Sequence, residues 1–130
     1  MNNEISEDRI KRLSLAALAA GYTFAIRPNE HGISVPCIMD AHAGWVQWSP
    51  EHNSGDAFDL ASDASINIEH VGLASKPPQA VGCWPNNQGK MTVTTHYNGD
   101  KREAMRRSIF EAAVLLGQSI VNKPAPSSQG

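Results

Sequence analysis

The segment from Gly44 to Glu69 constrains the fold more than any other part of the chain. Its sequence, GWVQWSPEHNSGDAFDLASDASINIE, predicts a short strand, a polar turn, a helix beginning near Ser54 or Asp56, and a second strand. Further along the chain, Asp100–Val121 has the pattern of a capped amphipathic helix, with an acidic residue three positions after its cap. Helices and strands in this order indicate a small α+β domain.

The remaining periodic segments extend this domain in both directions. A first helix is predicted over Ser6–Ala20, with Ser6 as its cap and Gly21 as its end. Alternating segments predict further strands at Tyr22–Ile26, Ile33–Met39, Ala80–Trp84 and Met91–Tyr97. We therefore expect a small antiparallel sheet layered with helices, an alpha-beta-alpha sandwich. It should form a single domain over residues 1–121, followed by a disordered tail at 122–130.

Proline and cysteine positions give two local expectations. Pro36 has no amide hydrogen to donate, so it should place its strand at the edge of the sheet. An exposed edge near Pro36, or surplus apolar surface on the alanine-rich first helix, would support a homodimer. Cys37 and Cys83 are expected to be two buried thiols.

Charge and composition restrict the classes of partner. The net charge of −2 provides no overall positive field, so non-specific nucleic-acid binding is not expected. No apolar run reaches the roughly 18 residues that a membrane-spanning helix needs. The short apolar segment near the N-terminus is flanked by acidic residues, which favours a helix over a signal peptide. These features predict a cytoplasmic protein.

Two motifs resemble those of the phage ABA-sandwich domain family and, more distantly, those of NinX-type proteins of lambdoid phages. The motifs are WSPEHNSGDAFDLA at Trp48–Ala61 and RRSIFEAA at Arg106–Ala113, and LAALAAGY at Leu15–Tyr22 is similar to the first helix of many members. The resemblance implies a helix–sheet–helix layered fold, a phage or prophage origin, and no established activity.

This chain departs from the family pattern at several polar positions. His52 and Asn53 stand where the family typically has an acidic pair, and Asp59 stands where it has arginine. If those positions bind a ligand in other members, the resemblance does not imply the same ligand here.

Five residues are candidates for ligand binding, and each also has a structural interpretation. Trp48 could belong to the core or form a stacking platform for a base. Asp56 begins a helix, where capping is favoured over an anion site. Arg102 and Arg106, four positions apart on the last helix, should share a face that is either solvated or open to an acidic partner. The fifth candidate is His52, which could pair with Asp56 only if an enzyme site were present.

The sequence contains no recognisable catalytic or metal-binding signature. Ser, His and Asp residues occur, but none lies in a G-x-S-x-G elbow, and no His or Cys pair has C-x-x-C or H-x-x-x-H spacing. We therefore expect neither catalysis nor a cofactor. The sequence predicts a phage or prophage accessory protein that binds a host or phage macromolecule. The alternative is a protein that binds a nucleotide-like small ligand through Trp48, Arg102 and Arg106.

Overall fold

A computed structural model describes residues 5–71, 79–86, 88–97 and 99–122. The helices are α1 (Glu7–Ala20), α2 (Ser54–Asp63) and α3 (Lys101–Asn122). The strands are β1 (Phe24–Pro28), β2 (Ser34–Asp40), β3 (Gly44–Gln47), β4 (Ile66–Val71), β5 (Gln79–Pro85) and β6 (Val93–Tyr97). A short 3₁₀ turn, Gly89–Met91, precedes β6. This arrangement confirms the α+β class, while the predicted tail lies outside the described residues from position 123 onward.

The six strands form two antiparallel sheets, where the sequence predicted one. The first sheet has the order β1-β2-β3 and the second the order β4-β5-β6. Each strand therefore pairs with its neighbours in the chain, and α2 separates the two sets. Alternation in the sequence shows that a strand exists, but it does not show which strands share a sheet.

Pro36 lies in the central strand of the first sheet, so the prediction of an edge strand was wrong. It is paired with Ile26 of β1, and its carbonyl accepts a hydrogen bond from the Trp48 amide. In an antiparallel ladder, the N–H and C=O of one residue point to the same side. The missing N–H of Pro36 therefore faces β3, beyond the last pair of that ladder, Cys37 with Gln47. The ladder ends there on the single bond from the Trp48 amide, because proline cannot donate the return bond. The argument for a dimer through a β2 edge no longer applies.

The caps predicted at Ser6 and Asp100 are present, and Asn53 caps α2. In each case a side-chain oxygen accepts the amide hydrogen of the residue three positions later. The capping box of α3 is only half formed, because the Glu103 carboxylate pairs with Arg107. These local contacts fix where each helix begins.

Trp48 is the largest side chain of the core. It is 1% exposed, and the rings of Tyr22 and Phe24 contact it edge-on at centroid distances of 5.7 and 6.1 Å. Leu60 of α2 and Ile109 of α3 belong to the same buried cluster. Trp48 is therefore one of the side chains, with Phe24 and Ile38, through which the first sheet packs on the core.

Both cysteines are buried and unpaired, as predicted. Cys37 lies in β2 and Cys83 in β5, so they belong to different sheets. Burial raises the pKa of each thiol. Both side chains therefore act as small apolar groups of the core at neutral pH.

Helices α1 and α3 form the most extensive contact between any two elements of the described structure. Arg12 pairs with Glu111, and further along both helices Leu15 meets Gly117, so the two helices run in the same general direction. At Gly117 the backbones approach so closely that a Cβ atom would lie 2.0 Å from the Leu15 carbonyl oxygen. Only glycine fits there without a shift of one helix.

Candidate functional site

A cleft of about 490 Å³ lies where the first turns of α1 and α3 meet the turn before α2. We call it the α1–α3 cleft. Its walls carry charges of both signs, together with the imidazole of His52 and the ring of Phe110. Four guanidinium groups face four carboxylates, so the formal charge of the lining is zero with His52 neutral. These groups are Arg9, Arg12, Arg106 and Arg107, and Asp8, Glu51, Glu103 and Glu111.

Three of the four arginines pair with glutamates, and two of these pairs connect different parts of the fold. The pairs are Arg9–Glu51 at 2.8 Å, Arg12–Glu111, and Arg107–Glu103 at 2.8 Å. The guanidinium of Arg12 also lies 5.5 Å from the centre of the Phe110 ring, at cation–π distance. The ion pairs therefore line the cleft and neutralise most of its charge internally.

Glu51 is the most extensively bonded carboxylate of the cleft. It accepts hydrogen bonds from Arg9 Nε at 2.8 Å, from Arg9 Nη2 at 3.4 Å, and from the Ser49 hydroxyl at 3.2 Å. Burial by itself raises the pKa of Glu51, but these hydrogen bonds and the charge of Arg9 outweigh it and hold the pKa below its ordinary value. Glu51 is therefore charged at neutral pH and keeps Arg9 occupied.

Arg106 differs from the other three arginines, because no carboxylate within the described ranges pairs with it. Its Nε donates to the Glu51 carbonyl oxygen at 3.4 Å, and its Nη1 donates to Ser54 Oγ at 3.0 Å. A guanidinium has five N–H donors in a planar fork, and among the described residues three of those of Arg106 have no acceptor. Arg106 is therefore positioned against the α2 turn while still able to bind an anionic group.

A second depression adjoins the α1–α3 cleft on the side of β2, and we call it the β2-side depression. Its volume is about 580 Å³, and Arg9 and His52 line it as well as the cleft. Its other walls include the apolar side chains of Ile33, Val35 and Pro36. We call the two adjoining depressions together the groove; it is charged at the α3 end and partly apolar at the β2 end.

A separate acidic cleft of about 260 Å³ lies between β2 and α2. Four carboxylates line it, and within the described part of the chain none of them forms an ion pair; they are Asp40, Asp56, Asp59 and Asp63. The Tyr22 hydroxyl donates a hydrogen bond to Asp63. Burial of the phenol and this contact raise the pKa of Tyr22. Trp48 also lines this cleft, and its indole N–H has no acceptor in the part of the chain that the structure describes.

The described residues contain no group of three or more His, Cys, Asp or Glu side chains arranged to hold a metal ion. The carboxylates of the acidic cleft have local structural contacts instead. Asp56 accepts the Ser49 amide at 2.9 Å, and Asp40 accepts the amides of His42 and Ala43. These two amides hold the pKa of Asp40 below its ordinary value.

The structure separates the five sequence-predicted candidates. His52 and Arg106 line the α1–α3 cleft, Trp48 and Asp56 line the acidic cleft, and Arg102 is exposed and lines neither. The predicted shared face of Arg102 and Arg106 does not form one site, because Arg106 is held against the α2 turn. Because Trp48 is buried, no base can stack on its face in this conformation, and the core interpretation of this residue fits the structure.

The same separation bears on catalysis. An enzyme site built on His52 and Asp56 would require the two side chains to converge, and they line different depressions. The carboxylate of Asp56 is instead hydrogen-bonded to the backbone of the turn that precedes α2. No acid–base pair forms between these two residues.

Sequence reasoning missed the contributions of Arg9, Arg12 and Glu51. Arg9 and Arg12 lie outside the motifs that the sequence singled out, and both form ion pairs in the cleft. Their spacing of three positions places them on the same side of α1 and is a signal that they share a surface. Their partners lie 42 and 99 positions away and could not be identified from local patterns.

None of the described helices has both the length and the apolar character that crossing a membrane requires.

The function of the groove must be inferred from its own chemistry. Comparison of the chain with protein-family models, with curated protein sequences and with solved structures gave no match.

Proposed function

We propose that this chain is a cytoplasmic phage or prophage accessory protein that binds a host or phage protein without catalysing a reaction. The binding surface in this proposal is the groove formed by the α1–α3 cleft and the β2-side depression. The resemblance of Trp48–Ala61 and Arg106–Ala113 to a phage domain family is the reason for the phage assignment. The groove supplies the reason for the binding role.

The observation that carries the proposal is that the two depressions adjoin. Arg9 and His52 line both depressions, so the charged walls and the apolar walls lie next to each other on the surface. A compact molecule would use one depression, whereas an extended chain would use both. Arginine, which lines both depressions, is also enriched at protein interfaces.

The alternative of a nucleotide-like ligand has less support in the geometry. It relied on stacking against Trp48 and on charge from Arg102 and Arg106. Trp48 is 1% exposed, and Arg102 does not line the cleft that contains Arg106. The spare donors of Arg106 still favour an anionic group, so a nucleotide is kept as the competing outcome of the test.

Quantitative capture from host lysate tests the proposal. Three tagged baits are used: the wild type, Arg106→Gln, and Arg102→Gln as the matched control on the same helix. We expect a protein that the wild type and Arg102→Gln retain equally and that Arg106→Gln retains at least tenfold less. Because Arg106 is only partly buried and forms no ion pair, the Arg106→Gln protein should remain folded, which circular dichroism can verify.

A thermal-shift screen of the same three proteins against nucleotides completes the experiment. Ligand binding to the native state raises the unfolding temperature, so a nucleotide ligand would be visible directly. A shift of several degrees that is lost in Arg106→Gln, combined with no captured protein, would replace the proposal with the nucleotide alternative.

A further inference from the structure

We infer that the groove binds an extended peptide segment that places an acidic side chain on Arg106 and an aliphatic side chain in the β2-side depression. This inference rests on the proposed function and adds the chemistry of the bound segment. Three properties of the groove carry it: the unpaired guanidinium, the apolar wall, and the connection between them.

The charges of the cleft favour a carboxylate as the ligand group that binds Arg106. Arg9, Arg12 and Arg107 are already paired with glutamates, so an incoming anion finds spare donors at Arg106. A carboxylate is planar and fits the guanidinium fork with two parallel hydrogen bonds. The formal charge of the lining is zero, so the second charge of a phosphate dianion gains no net attraction from the cleft. The side chain of aspartate or glutamate therefore fits this position.

The lining of the β2-side depression favours contact with an apolar side chain of the bound segment. Ile33 is 40% exposed although it is a large aliphatic residue, and it stands beside Val35 and the buried Pro36. Covering these groups with an aliphatic side chain removes apolar surface from water. The same depression contributes polar side chains, including Gln47, Ser49 and Asn53, that can bond a peptide backbone.

The groove suits a peptide better than a nucleic acid. The formal charge of the α1–α3 cleft is zero, so it offers no positive track for a phosphate backbone. Stacking platforms for single-stranded bases are exposed aromatic rings, and Trp48 and Phe110 are both buried. An acidic and aliphatic segment matches both ends of the groove.

Selection from a random dodecapeptide display library tests this inference. The baits are the wild type, Arg106→Gln, Ile33→Ser, and the control Arg102→Gln. We expect the wild type and Arg102→Gln to enrich peptides that contain Asp or Glu together with Leu, Ile or Val. Arg106→Gln should lose the acidic preference and Ile33→Ser the aliphatic one, because each substitution removes one contact. Ile33 is exposed, so its variant should fold.

Binding of one selected peptide, resynthesised with a fluorescent label, gives the magnitude. Fluorescence polarisation should show at least tenfold weaker binding to Arg106→Gln and a change within twofold for Arg102→Gln. Replacing the acidic residue of the peptide with its amide should weaken binding to the wild type but not further weaken binding to Arg106→Gln.

Two outcomes would overturn the inference while leaving the proposed function intact. In the first, selected peptides bind without an acidic preference or bind Arg106→Gln equally well. In the second, no peptide is selected, yet the lysate partner still depends on Arg106, which would indicate a folded surface rather than a linear segment. If neither a peptide nor a lysate protein binds, both the inference and the proposed function fail.

Discussion

The two ends of the contact between α1 and α3 are built in opposite ways. At one end, Leu15 and Gly117 bring the helix backbones into direct contact. At the other end, Arg9, Arg12 and Arg107 take part in ion pairs along a cleft. The same helix pair therefore has a closed end and an open end. The difference shows that side-chain size along one pair of helices can decide where a domain is closed and where it presents a groove.

The two ends should also differ in what they contribute to stability. Close-packed interiors tolerate added volume poorly, so the closed end should respond to a single extra methyl group. Solvent-exposed ion pairs contribute little to stability, typically up to about 1 kcal/mol. The open end can therefore bind a partner without being essential to the fold. Three measurements test this difference between the two ends.

The largest effect is expected for Gly117→Ala at the closed end. The new Cβ would meet the Leu15 carbonyl oxygen at 2.0 Å, so one helix must move, and overpacking of this kind costs about 1–3 kcal/mol. This cost opposes the gain of up to about 1 kcal/mol that alanine brings to a helix, and we expect net destabilisation in urea unfolding. The control is Gly89→Ala, because a Cβ at Gly89 meets no atom within 4 Å. If Gly117→Ala and Gly89→Ala unfold at the same urea concentration, the result would contradict tight packing at the closed end.

A smaller, pH-dependent effect is expected for Glu51→Gln at the open end. Because the folded protein lowers the pKa of Glu51 below 4.5, the charged carboxylate stabilises the fold above that pH. This stability is lost as the pH falls through 4.5 and then through the lower folded pKa. Glu51→Gln should therefore be less stable than the wild type by about 1 kcal/mol at pH 7, and the difference should disappear in acid.

Urea unfolding between pH 7 and pH 3 measures this difference. Glu30→Gln, at an exposed turn position, provides the control for loss of a charge without loss of an ion pair. A difference between wild type and Glu51→Gln that stays constant with pH would show that the Arg9–Glu51 pair does not stabilise the fold.

The smallest effect is expected for the pair Glu103 and Arg107 on α3. Their side chains are 47% and 55% exposed and four positions apart, so their coupling should be about 0.3–0.5 kcal/mol and should vanish in high salt. A double-mutant cycle with Glu103→Gln and Arg107→Gln measures it. A coupling above about 1 kcal/mol would show that the open end stabilises the fold, and the comparison would then fail.

Local structure could be predicted well from the sequence because its signals are local. Ser6, Asn53 and Asp100 mark the helix starts through hydrogen bonds to residues three positions away. Strand pairing depends on contacts between separate segments, so the division into two sheets and the central place of Pro36 were not predictable. The error at Pro36 came from treating a proline as incompatible with a central strand, although the ladder on that side ends next to it.

The candidate site was predictable only in part for the same reason. His52 and Arg106 were identified from their residue types, and both line the groove. That Arg106 lines the groove and Arg102 does not could not be predicted, because Arg106 is positioned by hydrogen bonds to Glu51 and Ser54, more than 50 positions away. A guanidinium left without a carboxylate becomes recognisable only when the other arginines have been assigned their partners.

The close approach of Leu15 and Gly117 has a consequence for the order of folding. The two residues are about 100 positions apart, so their contact closes a loop that contains most of the chain. Contacts between distant positions form late, because the chain must pay the entropy of closing a long loop first. During synthesis on the ribosome, α1 is made before α3, so its most extensive contact cannot form until α3 has been translated. We therefore expect the nascent chain to keep the α3-facing side of α1 accessible to chaperones until that point.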